Sequence, residues 1–248
     1  MKIKVVSFNI RCQDDENGHS IKERAPRLKM ILDDVDADII GFQECRNDWE
    51  TIIPNDYGDK YEIFLVHRGD DESNPILWRK DKFDCLQKGV FWLSDTPEKI
   101  SKGWDERFDC YRICMYAILQ DKHSGKKFCF MNTHYGFGDK CQTDSSDLIY
   151  KYNKQITDLP TLITGDFNMF PSTLGYKQVT KYYRDVNKAT LNYTGTTFHN
   201  YAPETENEHI DYCFINEKIK PINTVLLDQN FDGKYPSDHF GLYFELEL

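Results

Sequence analysis

Leu162-Ile163-Thr164-Gly165-Asp166-Phe167-Asn168-Met169-Phe170-Pro171 runs apolar, stops at small and acidic residues, then meets a proline. That is the pattern of a buried strand delivering a carboxylate and a carboxamide at its C-terminal end. Asp166 and Asn168 are two apart, so they share one face of an extended chain. Gly165 lets a neighbour approach the backbone closely. Asp and Asn are also the ordinary turn formers after a strand, so the weight of this stretch depends on whether other strands end the same way.

They do. Lys2–Asn9 alternates as a strand, with Ile3, Val5 and Ser7 on one face and Val6 and Phe8 on the other, and ends on Asn9. Leu28, Ile31, Leu32 and Val35 follow helical spacing, with Pro26 near the first turn. Asp38–Glu44 is a short apolar strand ending in Gln43 and Glu44. Tyr61–His67, Pro75–Trp78 and Asp84–Leu93 read as strands, and 68–74 as a polar loop. Tyr111–Gln120 and Lys127–His134 form a hairpin turning at His123-Ser124-Gly125, its second strand ending on His134. Cys141–Asp158 and Ser172–Tyr182 read as helices, and 187–208 as an irregular loop. His209–Ile215 carries Asp211, and Tyr235–His239 turns into a last strand through Asp238 and His239. Regular βαβ alternation is absent, so the expectation is one α/β domain over 1–248 with mixed sheets.

A net charge of −10, from 31 basic and 41 acidic residues, disfavours a protein built to grip long nucleic acid through its phosphates. It leaves room for a small phosphate substrate, since a metal ion inverts the local field. No stretch approaches a transmembrane helix, and Met1–Phe8 enters a strand pattern with no signal-peptide core, so a cytoplasmic protein is expected. The eight cysteines show no zinc spacing and read as mostly buried, reduced thiols.

Strand ends are where a scaffold assembles a site, and here they offer Asn9, Glu44, His134, Asp166, Asn168, Asp211, Asp238 and His239. Oxygen donors without thiolates suit a hard cation, Mg²⁺ or Mn²⁺, which needs only one or two carboxylates: Glu44 with Asp238 or Asp166 nearby. A histidine oriented by a carboxylate is a candidate general base, with Asp211 as orienter for His239 and Glu72 for His134. Metal, base and carboxamide together describe metal-assisted hydrolysis of a phosphate ester. His19, His67, His123, His199 and His209 have no such neighbours and read as surface residues, His199 being placed on a loop that can reach a substrate.

Ser7-Phe8-Asn9-Ile10-Arg11, Gly41-Phe42-Gln43-Glu44, Asn132-Thr133-His134, Gly165-Asp166-Phe167-Asn168, Ile210-Asp211-Tyr212 and Ser237-Asp238-His239 together resemble the endonuclease/exonuclease/phosphatase superfamily, in its order and over nearly the whole chain. Asn74–Lys80, Phe91–Ser94 and Gly103-Trp104-Asp105 resemble its bacterial metal-dependent hydrolase branch, related to deadenylase-like and pancreatic deoxyribonuclease-like members. The resemblance implies a four-layer sandwich, two mixed β-sheets face to face with helices outside, and dependence on Mg²⁺ or Mn²⁺. It implies Glu44 as principal metal ligand with Asn9 beside it and Asp238 at or near the metal. Asp166 and Asn168 would position the attacking water and the phosphate. Asp211 and His239 would form the proton-handling dyad, His134 would stabilise phosphoryl charge with Glu72 orienting it, and Arg112 would contact phosphate.

The expected activity is a phosphodiesterase acting on a modest-sized substrate. A phosphomonoesterase for sugar, inositol or nucleotide phosphates, a single-strand nuclease and a non-catalytic binding module are the alternatives. Tight binding of duplex DNA is not expected, and a monomer is the default. Arg11, Lys102, Arg107, Arg112, Lys140 and Lys234 are the basic residues available to flank a cleft, and loops 68–74, 101–109, 136–147 and 187–208 to shape it.

Overall fold

The structure, a computed structural model, describes residues 1–190, 195–202 and 209–248. Its strands are β1 Lys2–Asn9, β2 Ile39–Gln43, β3 Tyr61–Phe64, β4 Ile76–Arg79, β5 Phe83–Trp92, β6 Ile113–Asp121, β7 Lys127–His134, β8 Thr161–Asp166, β9 Arg184–Asp185, β10 Asp211–Ile215, β11 Lys220–Leu227 and β12 Gly241–Glu247. Its helices are α1 Ile21–Val35, α2 Trp49–Tyr57, α3 Asp139–Ile156, α4 Leu174–Val179 and α5 Val186–Thr190. The strands form two six-stranded sheets, ordered β11-β12-β1-β2-β4-β3 and β5-β6-β7-β8-β10-β9. Both are mixed: β1 pairs parallel with β2 and antiparallel with β12, and β8 pairs parallel with β7 and antiparallel with β10.

Three apolar clusters follow from strand alternation. Ile3 and Val5 of β1 join Phe130 of β7 and Leu162 of β8 between the sheets. Val6 and Phe8 point the other way, against Leu28, Ile31 and Leu32 of α1 and Trp49 of α2. On the far side of the second sheet, Ile163 and Met131 pack with Ile149 of α3 and Tyr176 of α4. The order helix, sheet, sheet, helix is the four-layer sandwich expected. β2 and β8 are buried at every position, which is why each reads as an unbroken apolar run.

Several local expectations differ from the structure. Pro26 lies well inside α1, which begins at Ile21 behind a Ser20–Glu23 capping box. Helix α2 was not legible, because Pro54 sits inside it and only Trp49, Ile53 and Tyr57 of it are buried. Helix α4 is shorter than Ser172–Tyr182, and α5 occupies the start of the stretch read as loop. Residues 191–194 and 203–208 of that stretch lie outside the described residues. Cys45, Cys114, Cys129, Cys141 and Cys213 are buried free thiols, whereas Cys12, Cys85 and Cys110 are half-buried.

His19, His199 and His209 are buried rather than on the surface, because each packs against tyrosine rings at 3.9 to 6.3 Å. Burial pushes His209 from 6.5 down to about 4. Neutral in the fold, it takes up a proton on unfolding, so its contribution is fully present above 6.5 and is lost as pH falls toward 4. By pH 5 the loss reaches about 2 kcal/mol. His209→Gln, compared with the parent by urea unfolding at pH 7 and pH 5, is expected to lack that component. Identical pH dependence in the two proteins would show that His209 titrates as freely folded as unfolded.

Candidate functional site

Strand register assembles the site. His134 ends β7 and stands beside Asp166 at the end of β8, and Asp211 at the start of β10 stands beside Asp166 on its other side. Three neighbouring strands thus deliver three polar groups at one level. In the facing sheet Asn9 of β1 pairs with Gln43 of β2, so Glu44 leaves the sheet at the same edge. Ser237 Oγ donates to the Asn9 carbonyl at 2.7 Å, which fixes Asp238 and His239 beside them. Behind the site, Gln43 Nε2 donates to Asn132 Oδ1 at 2.8 Å and Asn132 Nδ2 to the Phe42 carbonyl at 2.7 Å, bonding sheet to sheet.

Gly165 is required by the same crowding. A Cβ there would lie 2.2 Å from the Thr133 carbonyl oxygen, a backbone atom that cannot rotate away. Gly165→Ala is expected to lower stability by about 1–3 kcal/mol or more, read as a lower urea midpoint. An unchanged midpoint would mean β7 and β8 separate at no cost.

Arg11, Glu44 and Asn168 hold left-handed backbone, with φ of 59°, 61° and 48°. Non-glycine residues adopt this conformation where surrounding contacts over-determine it, commonly at functional sites. For Glu44 those contacts are Asn9 Nδ2, donating to Oε1 at 3.1 Å, and the Cys12 N–H, donating to Oε2 at 2.9 Å. Burial alone would raise the Glu44 carboxyl. These donors and the charge of His239 outweigh it and hold the group below its ordinary value, ionised. Asn9 Nδ2 also donates to Asp166 Oδ2 at 3.0 Å, so one carboxamide spaces two carboxylates, while its Oδ1 accepts the Arg11 N–H.

His239 Nδ1 lies 2.9 Å from Asp211 Oδ2, with both side chains buried. Nδ1 therefore carries a proton toward Asp211, and Nε2, 3.8 Å from Asp166 Oδ2, is the proton-handling atom. Burial opposes a charged imidazole, but Asp211, Asp166 and Asp238 lift His239 to about 10. Burial and the neighbouring Asp211 charge raise Asp166 to about 7. His134 goes the other way, driven well below its ordinary value by burial and by Arg112 and Arg68. Its Nε2 faces Asn168 Nδ2 at 3.1 Å, an amide donor. A neutral His134 consequently carries its proton on Nδ1, 3.8 Å from Glu72 Oε1 and short of a hydrogen bond. Burial lifts Glu72 to about 7, and its carboxylate takes Arg68 Nη1 at 2.6 Å. Asn168 uses its second amide hydrogen on the Tyr135 carbonyl at 2.9 Å and its N–H on Asp166 Oδ1 at 2.9 Å, which leaves its Oδ1 open.

A cavity of about 570 Å³ opens over this edge, and Glu44, Glu72, Arg112, His134, Asp166, Asn168, Asp238 and His239 all line it. Asn9 and Asp211 stand directly behind it, buried. Of the expected basic flank, Arg11, Arg107 and Arg112 line the cavity; Lys102, Lys140 and Lys234 do not, and Arg46 and Arg68 take their place. Lys102 and Lys140 are drawn instead to Asp109 and Asp144. Sequence reading missed Arg46, two residues after Glu44, and Arg68, which opens the 68–74 loop. Of segment 136–147 only Phe137 reaches the cavity, because Asp139 already starts α3. Phe198 and Asn200 line it from the 187–208 stretch, held by Phe240 N–H to Thr197 O at 2.7 Å and His199 N–H to Asp238 O at 2.9 Å.

The donors suit a hard cation: Glu44 offers an ionised carboxylate, the Asp166 carboxylate is joined to it through Asn9 Nδ2, and the nearest thiol, Cys12, is kept protonated mainly by burial. Among the described residues the tightest group able to share an ion is Asp166, Asp211 and His239, whose ligand atoms lie within 4.8 Å of one another. Among them, too, no helix is long and apolar enough to cross a membrane.

A model of the endonuclease/exonuclease/phosphatase family matches residues 6–239. The solved structure of an endonuclease/exonuclease/phosphatase family protein from Bacteroides thetaiotaomicron is 28% identical, covers 100% of this chain and 99% of that one, and superposes at a TM-score of 0.91. A mannosyl-6-phosphatase from Bacteroides thetaiotaomicron VPI-5482 is also 28% identical, with 99% and 100% coverage and a TM-score of 0.86. An uncharacterised protein of Acanthamoeba polyphaga mimivirus is 28% identical over 239 residues, 87% of this chain and 88% of its own length.

Proposed function

The chain belongs to the endonuclease/exonuclease/phosphatase family, whose members are phosphoester hydrolases, and from that premise we propose that it is a Mg²⁺- or Mn²⁺-dependent phosphodiesterase for a modest-sized substrate. The observation that carries the reading is the buried Asp211–His239 pair at 2.9 Å, opening beside an ionised Glu44 into one cavity. Glu44 would hold the cation, with Asp238 and Asn9 beside it. When bound there, the ion would supply positive charge against a phosphoryl oxygen and make water more acidic. His239, charged at rest, holds a proton on Nε2 ready for the leaving oxygen, and Asp211 stabilises that charge. The open Oδ1 of Asn168 and the carboxylate of Asp166 orient the attacking water. Arg112 and the neutral His134 face the phosphoryl oxygens.

The charge of the cavity favours the diester. Arg11, Arg46, Arg68 and Arg112 are each answered by an aspartate or glutamate, which suits a monoanion better than a dianion. A phosphomonoesterase is the second reading, supported by the mannosyl-6-phosphatase relative. A cytoplasmic monomer remains the expectation for the whole protein.

Hydrolysis of bis(p-nitrophenyl) phosphate and of p-nitrophenyl phosphate, with Mg²⁺, Mn²⁺ or chelator, separates the two. Metal-dependent cleavage of the diester is expected. Preference for the monoester would replace the first reading by the second, and activity untouched by chelator would remove the metal.

A further inference from the structure

One stretch of the cavity wall is not used by the chemistry above. Of the five arginines lining the cavity, Arg107 alone has no carboxylate partner among the described residues. Its guanidinium lies 5.2 Å from the centre of the Phe108 ring and 5.0 Å from that of Phe137. The two rings meet edge to face at 5.6 Å. Phe108 is 50% exposed, a large apolar ring left in water at the mouth of a charged cavity.

This surface is held in place rather than draped. Asp105, whose side chain is fully buried, accepts the N–H groups of Arg107 and Phe108 on Oδ1 at 2.8 and 2.9 Å, and Arg112 Nη2 on Oδ2 at 3.2 Å. The Glu106 N–H donates to the Phe137 carbonyl at 3.0 Å. Gly136 and Gly138 make the close fit possible: a Cβ on either would strike Asp105 at 2.6 Å or Glu106 at 2.3 Å. The loop and Phe137 therefore present their rings already arranged, so a ligand need not pay the entropy of ordering them.

We propose that Arg107, Phe108 and Phe137 form a subsite for a flat, π-bearing group of the nucleobase kind, attached to the phosphate that the site cleaves. The proposal rests on the phosphoester reading and adds the substrate class. Two aromatic faces and a planar guanidinium are what unstacked bases lie against. Hydroxyl-rich sugars instead need acceptors beside donors, and the side chains of this subsite offer none: Phe108 and Phe137 carry no polar atom, Arg107 and Arg112 only donate, and both oxygens of Asp105 are turned inward onto the loop.

The test compares substrates that differ only in the base. Adenosine 5′-phosphate is set against ribose 5-phosphate, and the methyl diester of each against the other, with Mg²⁺ and Mn²⁺. The base-bearing member is expected to show a kcat/KM on the order of tenfold to a hundredfold higher. Phe108→Ala and Arg107→Ala bring that ratio toward one, and Phe108→Trp keeps it. Equal hydrolysis of both members by the parent, or a ratio untouched in Phe108→Ala, overturns the subsite. Calorimetric binding of adenosine 5′-phosphate and ribose 5-phosphate gives a readout that needs no turnover. Tighter binding of the base-bearing ligand, lost in Phe108→Ala, with no hydrolysis of any substrate, keeps the subsite and removes the phosphoesterase reading. Equal binding removes the subsite whatever the enzyme hydrolyses.

Discussion

His239→Ala lowers turnover of the preferred phosphoester by about a hundredfold or more, with the fold intact by circular dichroism. The size follows from what the imidazole does. Its proton is held in the resting state, at about 10, and the ring is aimed by a fixed partner, Asp211, at 2.9 Å. Alanine removes the donor and also leaves Asp211 buried without its ring partner. Asp211 Oδ1 already lacks one, so some loss of stability accompanies the loss of rate. Asp211→Asn separates the two effects, because it keeps a side chain of the same shape but no longer stabilises the imidazolium. It is expected to fall short of His239→Ala, and the double variant to be no worse than His239→Ala alone, as residues acting as one unit are not additive. A well-folded His239→Ala that turned over like the parent would remove the dyad from the mechanism.

Glu44→Gln raises the Mg²⁺ concentration for half-maximal activity by on the order of tenfold or more. The substitution keeps the length of the side chain and an oxygen for Asn9 or Cys12 to bond, and removes one negative charge. Glu44 leaves β2 in a left-handed conformation at φ 61°, and two donors hold its carboxylate ionised, which is the state a hard cation requires. The titration discriminates between two placements. If it shifts, the ion is held on the Glu44 side. If it does not move, Asp166, Asp211 and His239, already within 4.8 Å of one another, become the ligand set.

The fold was legible where burial is complete. β2 and β8 are covered on both faces and read as apolar runs with abrupt polar ends, and those ends line the cavity. Glu44, His134, Asp166, Asp211 and His239 were all visible as strand-terminal polar groups, because a polar group delivered by a buried strand has few structural reasons to be there. Helix α2 was not legible, since an internal Pro54 and only three buried residues imitate a loop. The burial of His199 and His209 was hidden for a different reason: their neighbours are aromatic rings from other elements, and ring contacts leave no periodic trace. The cavity's arginines were half visible. Whether a basic side chain lines a cleft or pairs along the surface, as Lys102 and Lys140 do, depends on where the nearest carboxylate lands. That is decided by tertiary structure.

The site draws Asn9, Glu44, Asp238 and His239 from one sheet's edge and His134, Asp166 and Asp211 from the other's. Two of the bonds that complete it, Asn9 Nδ2 to Asp166 at 3.0 Å and His239 to Asp211 at 2.9 Å, cross the gap between the layers. Catalysis is thereby made a gauge of how the halves of the molecule are seated on each other. A slide of the two layers small enough to leave every strand paired would still dismantle the chemistry, so on warming the rate should fail some degrees before the far-ultraviolet circular dichroism does.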